Sequence, residues 1–245
     1  MKLNLKNEQI EFGTNILNLE IPSKLKERYP CGIKFIDDAY GGEGFTPSTI
    51  SLFTGEPGAG KTTLMLMLAN ALTESGHLCV FNTAEESLHQ VRLTCERLGL
   101  SHGFIAGQDT NINTILSNCD NLREKNPYMQ LFLIIDSLQT LQLSDNDTAN
   151  STIKILQMLT DYAKSHYINI IVIGQVNKSG GMAGSQKLKH MVDAMLHLSI
   201  EDKDKDFMGC RVLQTIKNRF GGSGWTFFLD LKRRGFREVA RIGVE

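Results

Sequence analysis

Thr54-Gly55-Glu56-Pro57-Gly58-Ala59-Gly60-Lys61-Thr62-Thr63 carries the spacing G-x-x-x-x-G-K-[ST] of a phosphate-binding loop. Thr49-Ile50-Ser51-Leu52-Phe53 precedes it and reads as a buried strand, and Leu64 to Leu72 follows and reads as a helix. Strand, glycine loop and helix form the context that gives the motif its meaning. The glycines let backbone N–H groups turn toward phosphate oxygens, and the helix N-terminus adds partial positive charge. Gly55, Glu56, Pro57, Gly58, Ala59, Gly60, Lys61, Thr62 and Thr63 are therefore the expected nucleotide-binding residues. Lys61 is expected to reach the β- and γ-phosphates, and the Thr62 hydroxyl to ligate Mg²⁺. ATP and Mg²⁺ are the expected cofactors. The bland alternative is a glycine-rich turn that binds nothing, and Lys-Thr at the strand–helix junction argues against it.

Outward from this loop, apolar strands alternate with amphipathic helices. Leu78–Asn82, Leu131–Ile135 and Ile168–Ile173 read as strands; Ser87–Leu98, Asn111–Arg123 and Ile153–Ala163 read as helices. A shorter helix is expected between Ile33 and Tyr40. Continuous apolar strands separated by helices imply a parallel sheet covered on both faces. Met195–Ile200, Cys210–Ile216 and Thr226–Leu231 then read as strands without long helices between them, which predicts an antiparallel extension. The expected class is α/β, with residues 31–245 as one ATPase domain. Residues 1–30, polar and interrupted by Pro22 and Pro30, are expected to form an arm, a linker or a disordered leader.

Composition narrows the rest. The chain has 245 residues and a net charge of −1, which argues against coating nucleic acid by bulk charge but not against a local basic loop. Its five cysteines form no C-x-x-C pair, so a zinc ribbon and a disulfide framework are not expected. No signal peptide and no run long enough for a membrane span stand out, and the expected location is cytoplasmic.

Several polar residues stand at strand ends, where chemistry is expected in such a sheet. Asp136 ends the third apolar strand and is expected to hold Mg²⁺; its other use would be as a helix N-cap. Glu85 and Glu86 follow Leu78–Asn82, a strand expected beside that of the phosphate loop. A carboxylate there could take a proton from an attacking water, with Glu85 preferred, or both could simply favour a first helical turn. Gln175 could sense the γ-phosphate, or only satisfy backbone groups. The loop after it, Val176 to Lys189, contains Lys178, Lys187 and Lys189 and could track a nucleic-acid backbone, or be a solvated surface loop. Lys217 and Arg219, two residues apart at a strand end, point the same way. They could reach a phosphate belonging to a neighbouring subunit; taken alone they read as an ordinary basic turn.

Taken together, these residues resemble the RecA-like ATPases and, among them, the RadA (Sms) branch. The resemblance spans roughly residues 30–240. It rests on Gly55–Thr63, Ala84-Glu85-Glu86-Ser87, Ile135-Asp136-Ser137-Leu138-Gln139-Thr140, Ala183-Gly184 with His190-Met191-Val192-Asp193, and Lys217-Asn218-Arg219-Phe220-Gly221. It implies a ring, expected to be hexameric, with ATP at the subunit interfaces. It also implies that Lys217 and Arg219 act at a neighbour's ATP and that the Lys178–Lys189 loop contacts single-stranded DNA. The zinc ribbon and Lon-like domain usual in that branch are not seen in the sequence. The implied activity is an ATP-dependent motor, a helicase among the options, acting on single-stranded DNA in recombination, repair or replication. A KaiC-like regulatory ATPase that switches protein assemblies without touching DNA is the alternative.

Overall fold

The computed structural model describes residues 12–143, 151–175, 185–221 and 224–243. In chain order its main elements are α1 (Lys34–Ala39), β1 (Thr49–Gly55), α2 (Lys61–Glu74), β2 (Leu78–Thr83), α3 (Leu88–Leu98), β3 (Ile105–Gly107), α4 (Ile112–Lys125) and β4 (Leu131–Asp136). Then follow α5 (Ser151–His166), β5 (Asn169–Gln175), α6 (Ser185–Met191), β6 (Ala194–Ile200), β7 (Arg211–Asn218), β8 (Thr226–Lys232) and β9 (Gly235–Ile242). Short 3₁₀ turns at Ile16–Asn18 and Ser23–Lys26 precede them, and Tyr29 bridges to Phe45.

Among the described residues nine strands form one sheet, in the order β3-β2-β4-β5-β1-β6-β7-β8-β9. The strands from β3 to β6 pair in parallel; β7, β8 and β9 continue antiparallel. The antiparallel extension therefore begins one strand later than the sequence predicts. Met195–Ile200 lies in β6, which runs parallel to β1 because α6 returns the chain to the amino edge of the sheet. Leu78–Asn82 is also misplaced by the sequence reading, since β4 and β5 stand between β2 and β1.

The sheet has two packed faces. Side chains of α1, α2 and α3 bury one face around Phe53, Phe81, Phe132 and Phe227. Helices α4, α5 and α6 bury the other around Ile50, Leu133, Ile170 and Leu188. Alternate residues of the same strand serve opposite cores, which is why β1, β4 and, up to Gly174, β5 are buried at every position. The helix boundaries follow local chemistry. Ser87 and Gln90 form a capping box at the start of α3, and Gly99 ends it with φ of +71°. Asn111 caps α4 by accepting from Asn113 and Thr114 N–H groups.

Candidate functional site

The phosphate loop lies at the carboxyl edge of the parallel sheet, between the end of β1 and the start of α2. Gly58 and Gly60 have φ of +77° and +101°, the left-handed region that suits glycine. A Cβ on Gly55 would stand 2.3 Å from the Leu198 carbonyl oxygen, so β6 allows only glycine there. The Lys61 ammonium donates to the Gly55 and Glu56 carbonyls at 2.9 and 3.0 Å. Burial lowers its pKa, against the raising influence of Asp136, Glu85 and Glu56.

Thr62 Oγ1 donates to Asp136 Oδ2 at 2.7 Å, which joins the start of α2 to the end of β4. Burial is the first cause that pushes the Asp136 carboxyl up to about 6; the Thr62 hydrogen bond opposes it, and the charges of Glu85 and Glu86 add to it. A hydroxyl and a carboxylate in contact, beside space for phosphates, suit Mg²⁺, which takes few protein oxygens and shares phosphate ligands. Among the described residues, no group of three or more His, Cys, Asp or Glu side chains is placed to hold a metal.

Glu85 reaches this site although its strand is two strands removed from β1. Its Oε1 accepts from Ser137 Oγ and from Gln175 Nε2, the latter at 2.9 Å. Gln175 N in turn donates to Gln139 Oε1 at 3.3 Å. The Asp136–Ser137 peptide bond is cis. A cavity of about 360 Å³ is lined by Gly55, Gly58, Lys61, Thr62, Glu85, Asp136 and Gln175, among others. Glu86 does not line it. Ser137 and Gln139 hold these polar groups; the sequence places both in the Ile135–Thr140 motif but assigns neither a role.

The remaining candidates lie elsewhere. Lys187 and Lys189 sit on the helix α6, not in a loop as expected, with Lys187 exposed and Leu188 buried beneath them. Lys178, Ala183 and Gly184 lie outside the described residues. Lys217 donates to the Lys189 and Val192 carbonyls at 2.8 and 2.5 Å, closing the C-terminal end of α6. Arg219 Nη1 pairs with Asp193 Oδ1 at 3.2 Å, and Nη2 donates to the His190 carbonyl at 3.3 Å. The Asp193 carboxylate is buried; it also accepts from Ile50 N–H at 3.2 Å and faces Lys164 Nζ at 3.6 Å. Ile50 stands near the start of β1 and Gly55 at its end, a rise of roughly 16 Å for a strand. Arg219 is thus anchored at the amino edge of the sheet, away from its own phosphate loop, with its side chain still 51% exposed.

Residues 46–178 match the family model of an AAA domain. The chain is 34% identical over 220 residues to the DNA repair protein RadA of Brucella abortus strain 2308, covering 87% of this chain and 45% of that protein. It is 32% identical over 203 residues to the DNA repair protein RadA of Mycobacterium tuberculosis strain H37Rv, covering 79% and 40%. It thus spans less than half the length of these curated relatives. Among solved structures, a KaiC-like protein from Pyrococcus horikoshii OT3 has a TM-score of 0.71 at 18% identity, covering 87% of this chain and 99% of that one. A DnaB-like replicative helicase, described together with its interactions with primase, has a TM-score of 0.74 at 17% identity, covering 89% and 62%. At these identities the structural likeness is one of fold.

Proposed function

Because the chain belongs to the AAA domain family and has the RecA-like P-loop fold, we propose that it is an ATP-dependent motor acting on single-stranded DNA in recombination, repair or replication. It works as a hexameric ring with ATP between subunits, in the cytoplasm. One observation carries this reading. Lys61, Thr62, Glu85, Asp136 and Gln175 share one cavity, while Lys217 and Arg219 are held at the other edge of the sheet. A cation pair so placed serves a phosphate on a neighbouring chain. The resemblance of this sequence to proteins named for DNA repair supports DNA as the polymer.

In this reading, Lys61 exchanges the two carbonyls it now holds for β- and γ-phosphate oxygens. Thr62 and Asp136 would hold Mg²⁺, and the ion would offset the negative charge of the phosphates. Ser137 and Gln175 fix one oxygen of Glu85 and leave Oε2 to orient a water and accept its proton. Gln175 also lies where β5 leaves the site toward α6, so the amide that touches Glu85 can relay the nucleotide state toward Lys187 and Lys189. Arg219 stabilises transition-state charge on the neighbour's γ-phosphate.

The second reading, a KaiC-like regulatory ATPase without DNA, is favoured by the net charge of −1 and by the fold of the Pyrococcus protein. ATP turnover with and without single-stranded DNA, measured beside the mass of the nucleotide-bound assembly, separates them. A DNA-stimulated ring supports the motor. A ring whose turnover ignores DNA and which binds none supports the regulator.

A further inference from the structure

The cations of this near-neutral chain are unevenly placed. β8 and β9 join through a two-residue turn, Arg233-Arg234, with Lys232 paired opposite Gly235. Gly235 has φ of +103°, and a Cβ on it would meet the Met67 sulfur at 2.3 Å, so the hairpin is pressed against α2. From the end of α3, Arg97 Nη1 donates to the Arg233 carbonyl at 3.1 Å. Arg97, Lys232, Arg233, Arg234 and Arg237 are all exposed. The carboxylates at this corner are already engaged. Asp230, across the ladder from Arg237, pairs with Lys232 at 2.7 Å, and Glu96 pairs with Arg92 at 3.0 Å. Among the described residues, no ion pair engages Arg97, Arg233 or Arg234.

We propose that this hairpin tip, together with Arg97, is a second nucleic-acid contact that grips the phosphodiester backbone. Guanidinium groups suit phosphate because their planar forks pair with two oxygens at once. A protein partner would need an apolar centre to its interface; the turn presents none, since Gly235 and Phe236 are buried, and beside Arg97 only the single side chain of Leu93 is exposed one helical turn earlier. The tip sits beside α2 and α3, on the sheet face opposite the one α6 packs against. It is therefore a contact separate from Lys187 and Lys189. Backbone contacts carry no sequence information, so the site discriminates strands by form and not by base.

This inference rests on the reading that the chain works on DNA, and the test separates the two. The full chain and an Arg97→Ala/Arg233→Ala/Arg234→Ala variant are titrated with fluorescent single-stranded, duplex and forked DNA between 50 and 200 mM salt. Loss of three phosphate contacts lowers the log–log salt slope by up to about 2.7 on duplex or about 2.1 on single strands. Which DNA shows the change identifies the form bound. ATP turnover without DNA and the mass of the assembly stay as in the wild type. An Arg233→Lys/Arg234→Lys variant, which keeps the charge and loses the planar forks, retains the salt slope of the wild type but binds more weakly. If the wild type binds DNA and the triple variant binds every form equally, with an equal slope, the inference falls alone. A wild type that binds no DNA overturns the motor reading and this one together. A triple variant that loses DNA only because its ring dissociates assigns the tip to subunit contact and overturns the inference.

Discussion

Asp136→Asn makes the nucleotide site pull against the stability of the fold. Burial raises the Asp136 carboxyl from 3.8 to about 6. The folded chain therefore binds this proton more tightly than the unfolded chain does, and holding the group ionised is unfavourable. The penalty is fully present above about pH 6, fades as pH falls toward 4, and amounts to about 3 kcal/mol at pH 7.5. Asparagine keeps an oxygen for the Thr62 hydroxyl and removes the charge. The metal-free variant should then melt higher than the wild type at pH 7.5, by roughly 6–12 °C for a chain of this size. At pH 5 the gain should shrink to about half. Addition of Mg²⁺ and ATP should raise the melting temperature of the wild type and not of the variant. Thermal melts at both pH values, with and without Mg²⁺ and ATP, provide the measurement. A variant that is no more stable at pH 7.5, or whose gain is the same at pH 5, would refute the burial argument. Full retention of the Mg²⁺-dependent shift would remove Asp136 from the metal.

Glu85→Gln should bind ATP and Mg²⁺ as the wild type does but lose at least about 10²-fold in turnover, since an amide cannot take the proton; Glu86→Gln with the larger loss would reverse that assignment. Arg219→Ala and Lys61→Ala should each be inactive alone, the arginine being worth about 10³–10⁵ in rate. Their mixture, shown by mass to co-assemble, should recover part of the turnover if the arginine acts between subunits, and no recovery would count against it. Gly55→Ala must push β6 away from the Leu198 carbonyl contact, and should destabilise the fold by about 1–3 kcal/mol in denaturant unfolding. A melt unchanged from the wild type would show that β1 and β6 can part without cost.

What could be read in the sequence was what local spacing encodes. The phosphate loop needs only the ten residues Thr54–Thr63 and an apolar run on either side. Asp136 announces itself because one carboxylate closes a continuous apolar strand. Glu85 was legible as a residue but not in its setting. Ser137 and Gln175 meet it from 52 and 90 residues away, and only strand order decides that. The same blindness misplaced β2 beside β1 and assigned β6 to the antiparallel run. α6 reads as loop in the sequence because, in Ser185–Met191, only Leu188 and Met191 are apolar, too few to show a helical period. β3 escaped notice because it is three residues long and lies at the sheet edge. The Asp193 network joins β1, α5 and the residues after β7, a meeting that no periodicity records.

The position of β1 has a consequence for the newborn chain. Its two neighbours are β5 and β6, and β5 begins more than a hundred residues after β1 ends. A ribosome adding about 5–20 residues per second leaves Ile50, Leu52 and Phe53 without either flanking strand for roughly 6 to 23 s. During that interval both edges of β1 are open to pairing with other chains. The phosphate loop is written early in the chain but takes shape late, once β5 and β6 have emerged to enclose it. Dependence on chaperones during synthesis should accordingly be greatest while the stretch between β1 and β5 is being made, and should fall once β6 has cleared the ribosome.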